Sequence, residues 1–99
     1  MVSWDCTFID TNAHSLKSEE RKKDVRDWIK GPEYKDWSNV RHAPILIKSG
    51  SWIGFKSTIL KGVLIERGTI IGAGSVVTKS TEAYSIYGGN PASLIGKSE

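Results

Sequence analysis

The stretch ILIKSGSWIGFKSTILKGVLIERGTIIGAGSVVTKST, residues 45–81, decides the fold. A long aliphatic residue returns at Ile47, Ile53, Ile59, Ile65, Ile71 and Val77, always six positions on. Helices repeat near 3.6 residues and half-buried strands at 2. Six therefore suits short strands separated by corners, each strand sending one aliphatic side chain inward. The neighbouring columns agree. Three places after the aliphatic stand Gly50, Gly62, Gly68 and Gly74, interrupted only by Lys56 and Ser80. Glycine there supplies the positive φ that a tight corner needs. Four places after it come Ser51, Ser57, Val63, Thr69, Ser75 and Thr81, all small or β-branched. Short strands in a regular six-residue repeat describe a parallel β-helix, whose coils stack about 4.8 Å apart through backbone hydrogen bonds. A sandwich of ordinary strands would not hold three columns in register over six repeats.

Working outward, Val2 and Phe8 continue the aliphatic column as two earlier repeats, and Cys6 falls in the small column. Cys6 thus reads as a core residue rather than a nucleophile. From Phe8 to Ile47 is 39 residues, which is not a multiple of six. Residues 15–44 therefore leave the β-helix as a long insertion within one domain spanning 1–99. In it, SEERKKDVRDWI predicts a helix over 18–29. Ser18 is the expected N-cap, Glu19 and Glu20 fill the first turn, and Val25, Trp28 and Ile29 share one face. The glycine and proline of KGPEY end it. Trp28, Tyr34 and Trp37 are candidates to pack the insertion onto the β-helix or a neighbouring subunit. Residues 83–99 read as a short tail.

Composition narrows the function classes. A single cysteine excludes an intrachain disulfide and a four-cysteine metal site. The net charge of +3 comes from scattered basic residues, which argues against a nucleic-acid partner. No apolar run reaches membrane-spanning length, and the start, MVSWDCTF, lacks a signal-peptide layout, so the expectation is a cytoplasmic protein with no membrane partner. A chain this short buries a modest core, and outward apolar residues such as Leu46, Trp52, Leu64 and Ile70 call for partner subunits.

In SWIGFKSTILKGVLI, IIGAGSVVTKS and GGNPASLIG the chain resembles the hexapeptide-repeat acyltransferases, in particular sugar O-acetyltransferases of the galactoside and maltose kind and those acting on capsule or lipopolysaccharide sugars. The resemblance implies an all-β, left-handed parallel β-helix of about three coils with three hexads per turn. The left hand belongs to the resemblance, because ordinary parallel crossovers are right-handed. It further implies a homotrimer with active sites between adjacent subunits, acetyl-coenzyme A as donor, a saccharide hydroxyl as acceptor, and no metal.

The site residues follow. His14 ends IDTNAH, where the chain leaves the β-helix. An acceptor hydroxyl is a poor nucleophile at neutral pH, and a neutral imidazole can take its proton as it attacks a thioester. The resemblance gives that general-base role to a histidine at this point. His42, at the end of the insertion, is the weaker candidate. Asp10 and Asn12 either orient the imidazole, hydrogen-bond the acceptor, or serve only the turn.

On the donor side, GAGSVV begins like a dinucleotide fingerprint, but Val77 replaces the third glycine and no βαβ unit surrounds it. GAGSVVTKS ends like a phosphate loop, but Thr78 precedes Lys79 where glycine is needed. The resemblance implies instead that this stretch lines a groove for coenzyme A, with Ala73, Thr78 and Lys79 touching it. Glycine corners are expected to expose backbone N–H groups there, with Gly54 and Gly74 among the cofactor contacts, and Lys79 to offer charge to phosphate. Trp52 precedes an inward Ile53 and so points outward, toward the pantetheine arm, the insertion or a partner subunit.

Three departures stand against the pattern. Relatives carry arginines near the C-terminus that help to hold coenzyme A, where this chain has Ser93 and Lys97. Phe55 replaces a common small residue and is expected to narrow the groove. The start, VSWDCTF, reads like the middle of a family β-helix, with N-terminal coils missing. A second reading therefore stays beside the enzyme: a catalytically inactive trimeric β-helix with a structural or small-molecule-binding role. The carbonic anhydrase that shares this fold needs three histidines, and this chain has two.

Overall fold

The computed structural model describes residues 1–31, 33 and 35–99. Pro32 and Tyr34, read above as a helix stop and a packing residue, lie outside the described residues. The chain forms two compact units, Met1–Asp10 with Ala43–Glu99, and Thr11–His42.

The first unit is the β-helix. Its strands are β1 (Thr7–Ile9), β2 (Leu46–Ile47), β3 (Trp52–Ile53), β4 (Thr58–Leu60), β5 (Leu64–Ile65), β6 (Ile70–Ile71), β7 (Val76–Val77), β8 (Ser85–Gly89) and β9 (Ala92–Lys97). They form three sheets, β1–β4–β7, β2–β5 and β3–β6–β8–β9. Every pairing is parallel except the last, between β8 and β9. Ile47 pairs with Ile65, Ile53 with Ile71, and Ile59 with Val77, each pair 18 residues apart in sequence. Three hexads thus make one coil, and each hexad column is one edge-to-edge stack.

The six-residue column is the core. Ile53, Ile59, Ile65, Ile71 and Val77 are fully buried, joined by Val63. Val2 and Phe8 do pair in register with Ile53 and Ile59. They and Ile47 are nevertheless exposed, because no further coil stacks on their outer side among the described residues. Cys6 packs against the core cluster. The small column has a polar duty. Ser57 Oγ donates to the Gly72 carbonyl at 3.1 Å, Ser51 Oγ to that of Glu66 at 3.1 Å, and Thr69 Oγ1 to that of Glu82 at 3.1 Å. Buried hydroxyls thereby satisfy carbonyls that the corners turn away from the ladder.

The corner glycines do adopt positive φ, from 66° at Gly68 to 75° at Gly50. Their N–H groups, however, are not exposed as the sequence led us to expect. Gly68 N–H donates to the Ser49 carbonyl at 3.1 Å and Gly74 N–H to that of Phe55 at 2.9 Å, and Gly54 N–H, outside the positive-φ corners, donates to that of Ile71 at 2.8 Å. The ladder between coils consumes these donors, since each parallel strand must bond its neighbour above or below. The tail is also more ordered than anticipated: β8 continues the sheet beside β6, and β9 folds back antiparallel upon it.

The second unit, Thr11–His42, is shifted from the expected 15–44. Thr11 bridges His42 antiparallel, and Asn12 N–H donates to the Arg41 carbonyl at 2.8 Å. This stem draws residues 11–14 out of the parallel ladder. Helix α1 runs over Ser18–Lys30. Ser18 lies inside it rather than capping it; Lys17 holds the N-cap position without a side-chain bond. Ser15 does the local work instead. Its Oγ accepts the Lys17 N–H at 3.1 Å and donates to Glu20 at 3.0 Å. Arg21 ties the same approach by donating to the Ser15 and Leu16 carbonyls at 3.1 and 2.8 Å. The helix stops at Gly31, where φ is 137° and the N–H bonds the Trp28 carbonyl.

Candidate functional site

The buried side chains of the second unit among the described residues are Ser15, Asp24, Lys35 and Val40. Its interior is therefore organised by a charged pair. Asp24 Oδ2 and Lys35 Nζ are 3.0 Å apart, with side chains 7% and 2% exposed. Lys35 also donates to the Ala13 carbonyl and lies 4.5 Å from the centre of the Trp37 ring. Into this pair reaches His14. Its Nδ1 stands 3.2 Å from Asp24 Oδ2 and 3.0 Å from Lys35 Nζ, while the ring itself is exposed. Hydrogen bonds from Lys35 first, and then from His14, hold the Asp24 carboxyl below its ordinary range.

The two contacts on Nδ1 have opposite consequences. When Nδ1–H donates to Asp24, the lone pair lies on Nε2, which can accept a proton. When Lys35 donates to Nδ1, the neutral ring carries its hydrogen on Nε2 and cannot. Asp24 is thus the group whose bond leaves Nε2 of the neutral ring able to accept a proton. It takes the orienting place that the sequence offered to Asp10 or Asn12. Asp10 belongs to the first unit, where its carbonyl accepts the Ala43 N–H at 2.9 Å, and Asn12 serves the stem. His42 bridges Thr11 in that stem.

A sequence signal for Asp24 existed. Arg21, Asp24, Val25 and Trp28 stand at i, i+3, i+4 and i+7, so the acid interrupts the stripe of α1 on which Trp28 lies. Around it opens a hollow of about 660 Å³, lined by His14 and Asp24 together with Val25, Trp28, Ile29 and Trp37. Trp28 and Trp37, expected to pack the insertion, are exposed there.

In the first unit the predicted donor-side residues separate into two groups. Ala73 and Gly74 form the corner before β7, and Thr78 and Lys79 follow it; all four are exposed. They bracket one strand of the β1–β4–β7 sheet. A Cβ built on Gly74 meets nothing within 4 Å, so the corner faces open space. Gly54 is buried, and its Cβ would lie 2.6 Å from the Ala73 nitrogen. Its lack of a side chain lets Ala73 approach.

Trp52 does not join them. It points outward from the other sheet and lines a shallow hollow of about 390 Å³ with Arg67 and Tyr84. Phe55 does not reach into a groove as expected; it stacks on Trp4 with ring centres 5.2 Å apart and planes 7° from parallel. Lys97, the one basic residue of the C-terminal segment, is engaged by Ser85 Oγ at 3.2 Å and Glu82 at 3.6 Å. Among the described residues, no three His, Cys, Asp or Glu side chains gather to hold a metal ion.

Residues 44–79 match the family described as bacterial transferase hexapeptide, six repeats. The chain carries the hexapeptide repeat of bacterial transferases. A probable macrolide acetyltransferase of Lysinibacillus sphaericus is 54% identical over 52 residues, covering 52% of this chain and 29% of that protein. Among solved structures, a galactoside acetyltransferase in complex with coenzyme A superposes with a TM-score of 0.75 at 28% identity, covering 96% of this chain and 40% of its own. A maltose O-acetyltransferase from Clostridium difficile 630 gives 0.76 at 26%, covering 100% and 45%. The chain spans under a third of the length of the curated relatives it matches. The hexapeptide repeat and these structures imply the left-handed form of the parallel β-helix seen here.

Proposed function

We propose that this chain is an acetyl-coenzyme A-dependent O-acetyltransferase, a cytoplasmic homotrimer with active sites between subunits, acting on the hydroxyl of a saccharide acceptor with His14 as general base. The observation that carries the reading is the buried Asp24 carboxylate on His14 Nδ1. His14 Nε2 takes the proton of the acceptor hydroxyl as that oxygen bonds to the thioester carbonyl. Asp24 stabilises the imidazolium so formed. His14 then returns the proton to the departing thiolate when the carbon–sulfur bond breaks, leaving an acetyl ester and free coenzyme A. Lys79 faces the phosphates of the donor, and the small, open corner at Ala73 and Gly74 leaves room for its chain. The relatives' names and the coenzyme A in the galactoside acetyltransferase support this donor.

The engagement of Lys97 by Ser85 and Glu82 favours the second reading, an inactive β-helix that binds a small molecule, because it leaves fewer cations for phosphate. One experiment separates them. Thiol release from acetyl-coenzyme A is followed in the presence of a panel of sugars, alongside calorimetric titration with the donor. Acceptor-dependent release that is lost in His14→Ala supports the enzyme. Donor binding without release on any acceptor supports the inactive form. Light scattering should give three times the 10.9 kDa chain mass; a folded monomer would remove the trimer from the proposal.

A further inference from the structure

We infer that the hollow beside His14 is the acceptor's subsite, and that it selects a hydroxyl compound with an apolar, ring-bearing body. The inference deepens the acetyltransferase reading and rests on it. The hollow, at about 660 Å³, has the size of a small-molecule pocket. Its wall is built by residues that an ordinary insertion would bury. Ile29 is 81% exposed, and Val25, Trp28 and Trp37 are each more than half exposed. They remain so because the side of α1 turned into the unit carries Asp24 and closes on Lys35 instead.

The polar side chains lining the hollow are His14, Arg21, Asp24 and Lys35. Asp24 and Lys35 neutralise each other at 3.0 Å, and the Arg21 guanidinium is drawn to the Ser15 and Leu16 carbonyls. With Nδ1 engaged by that pair, the Nε2 side of His14 is turned to a ligand hydroxyl. A molecule hydroxylated on every side would lose water along the apolar wall without gaining partners. One with an aromatic or aliphatic ring loses nothing there and stacks on Trp28 or Trp37, while a single hydroxyl is presented to the base.

Phenyl and methyl β-glucosides test this, because they carry the same hydroxyls and differ only in the apolar group. The full chain should show kcat/KM for the phenyl glucoside at least tenfold above that for the methyl glucoside. Trp28→Ser and Ile29→Ser should each bring the ratio toward one. Equal values in the parent chain, or a ratio unmoved by Trp28→Ser, would overturn the inference. So would conversion of the trimer to monomer by Ile29→Ser, which would make the wall a subunit contact. Where neither glucoside is acetylated, binding decides, read as quenching of tryptophan fluorescence. Quenching by the phenyl glucoside that is lost in Trp28→Ser keeps the subsite while the catalytic reading falls. No quenching in a chain that still binds acetyl-coenzyme A sinks the subsite alone.

Discussion

Asp24 Oδ2 and Lys35 Nζ meet at 3.0 Å with both side chains buried, and His14 Nδ1 lies within hydrogen-bonding reach of both. The pair does two things at once. It supplies the interior of a unit with little apolar core, and it holds the imidazole. Lys35 can place its hydrogens on the Ala13 carbonyl and on Asp24 while its charge rests against Trp37, which leaves Nδ1–H free to bond the carboxylate.

Asp24→Asn should lower turnover by roughly two orders of magnitude or more, approaching His14→Ala, since general-base catalysis contributes about 10²–10⁴ in rate. An amide N–H at this place donates to Nδ1 and favours the tautomer that carries its hydrogen on Nε2. The KM for acetyl-coenzyme A should change little, because its assigned contacts are on the other unit. Steady-state kinetics in both substrates read this split. A fall in donor affinity with unchanged kcat would remove Asp24 from the base.

Lys35→Met leaves the Asp24 carboxylate buried without its cation, and should lower the melting temperature of the helical signal. Replacing both, as Asp24→Leu with Lys35→Met, should recover much of that loss, because two buried charges are then removed together. Far-UV dichroism at 222 nm reports α1. A double variant no more stable than Lys35→Met would mean that the pair is not what holds this unit.

The acid sensitivity follows from the direction of the Asp24 shift. Bonds from Lys35 and then His14 lower its pKa beneath the ordinary 3.8. Its contribution is therefore fully present above that value and fades as pH falls through the lowered one. Helical ellipticity should hold at pH 4 and decline only in stronger acid. Asp24→Asn should lack this step, so parent and variant converge as pH falls. A transition already complete above pH 4 would contradict the assignment.

Ile65→Asp tests the core. Ile65 is fully buried in the column, and an unpaired carboxylate there costs on the order of several kcal/mol, about half or more of the stability of a small domain. Soluble, folded protein should largely vanish. Lys61→Asp, at a corner, should be tolerated. Equal yields of the two variants would contradict the column.

Gly54→Ala and Lys79→Ala probe the donor side by different routes. The new Cβ would sit 2.6 Å from the Ala73 nitrogen and 2.8 Å from the Ile71 oxygen, so the corner must shift. Lys79→Ala removes only charge. Both should raise the KM for acetyl-coenzyme A about tenfold with a smaller effect on kcat. Titration with the donor checks this directly, and unchanged affinity in both variants would move the donor away from β7.

The sequence alone carried the coil. Ile47, Ile53 and Ile59 meet Ile65, Ile71 and Val77, 18 residues on, because the six-residue spacing is local and repeats from 47 to 77. Cys6 in the core and the positive φ at the corner glycines were legible for the same reason. Tertiary structure decided the rest. The corner N–H groups are spent between coils, which no single hexad reveals. Gly54 is glycine because Ala73, a coil away, presses on it. Asp24 reaches His14 because a stem and a helix bring together residues ten apart, and Lys35 arrives from beyond the helix. Within one stripe of α1, Asp24 is buried against Lys35 while Val25 and Trp28 stay exposed, because an ion pair and not a hydrophobic core fills the unit. A stripe pattern marks which residues share a face, but only the packing of the whole unit determines which way that face is turned.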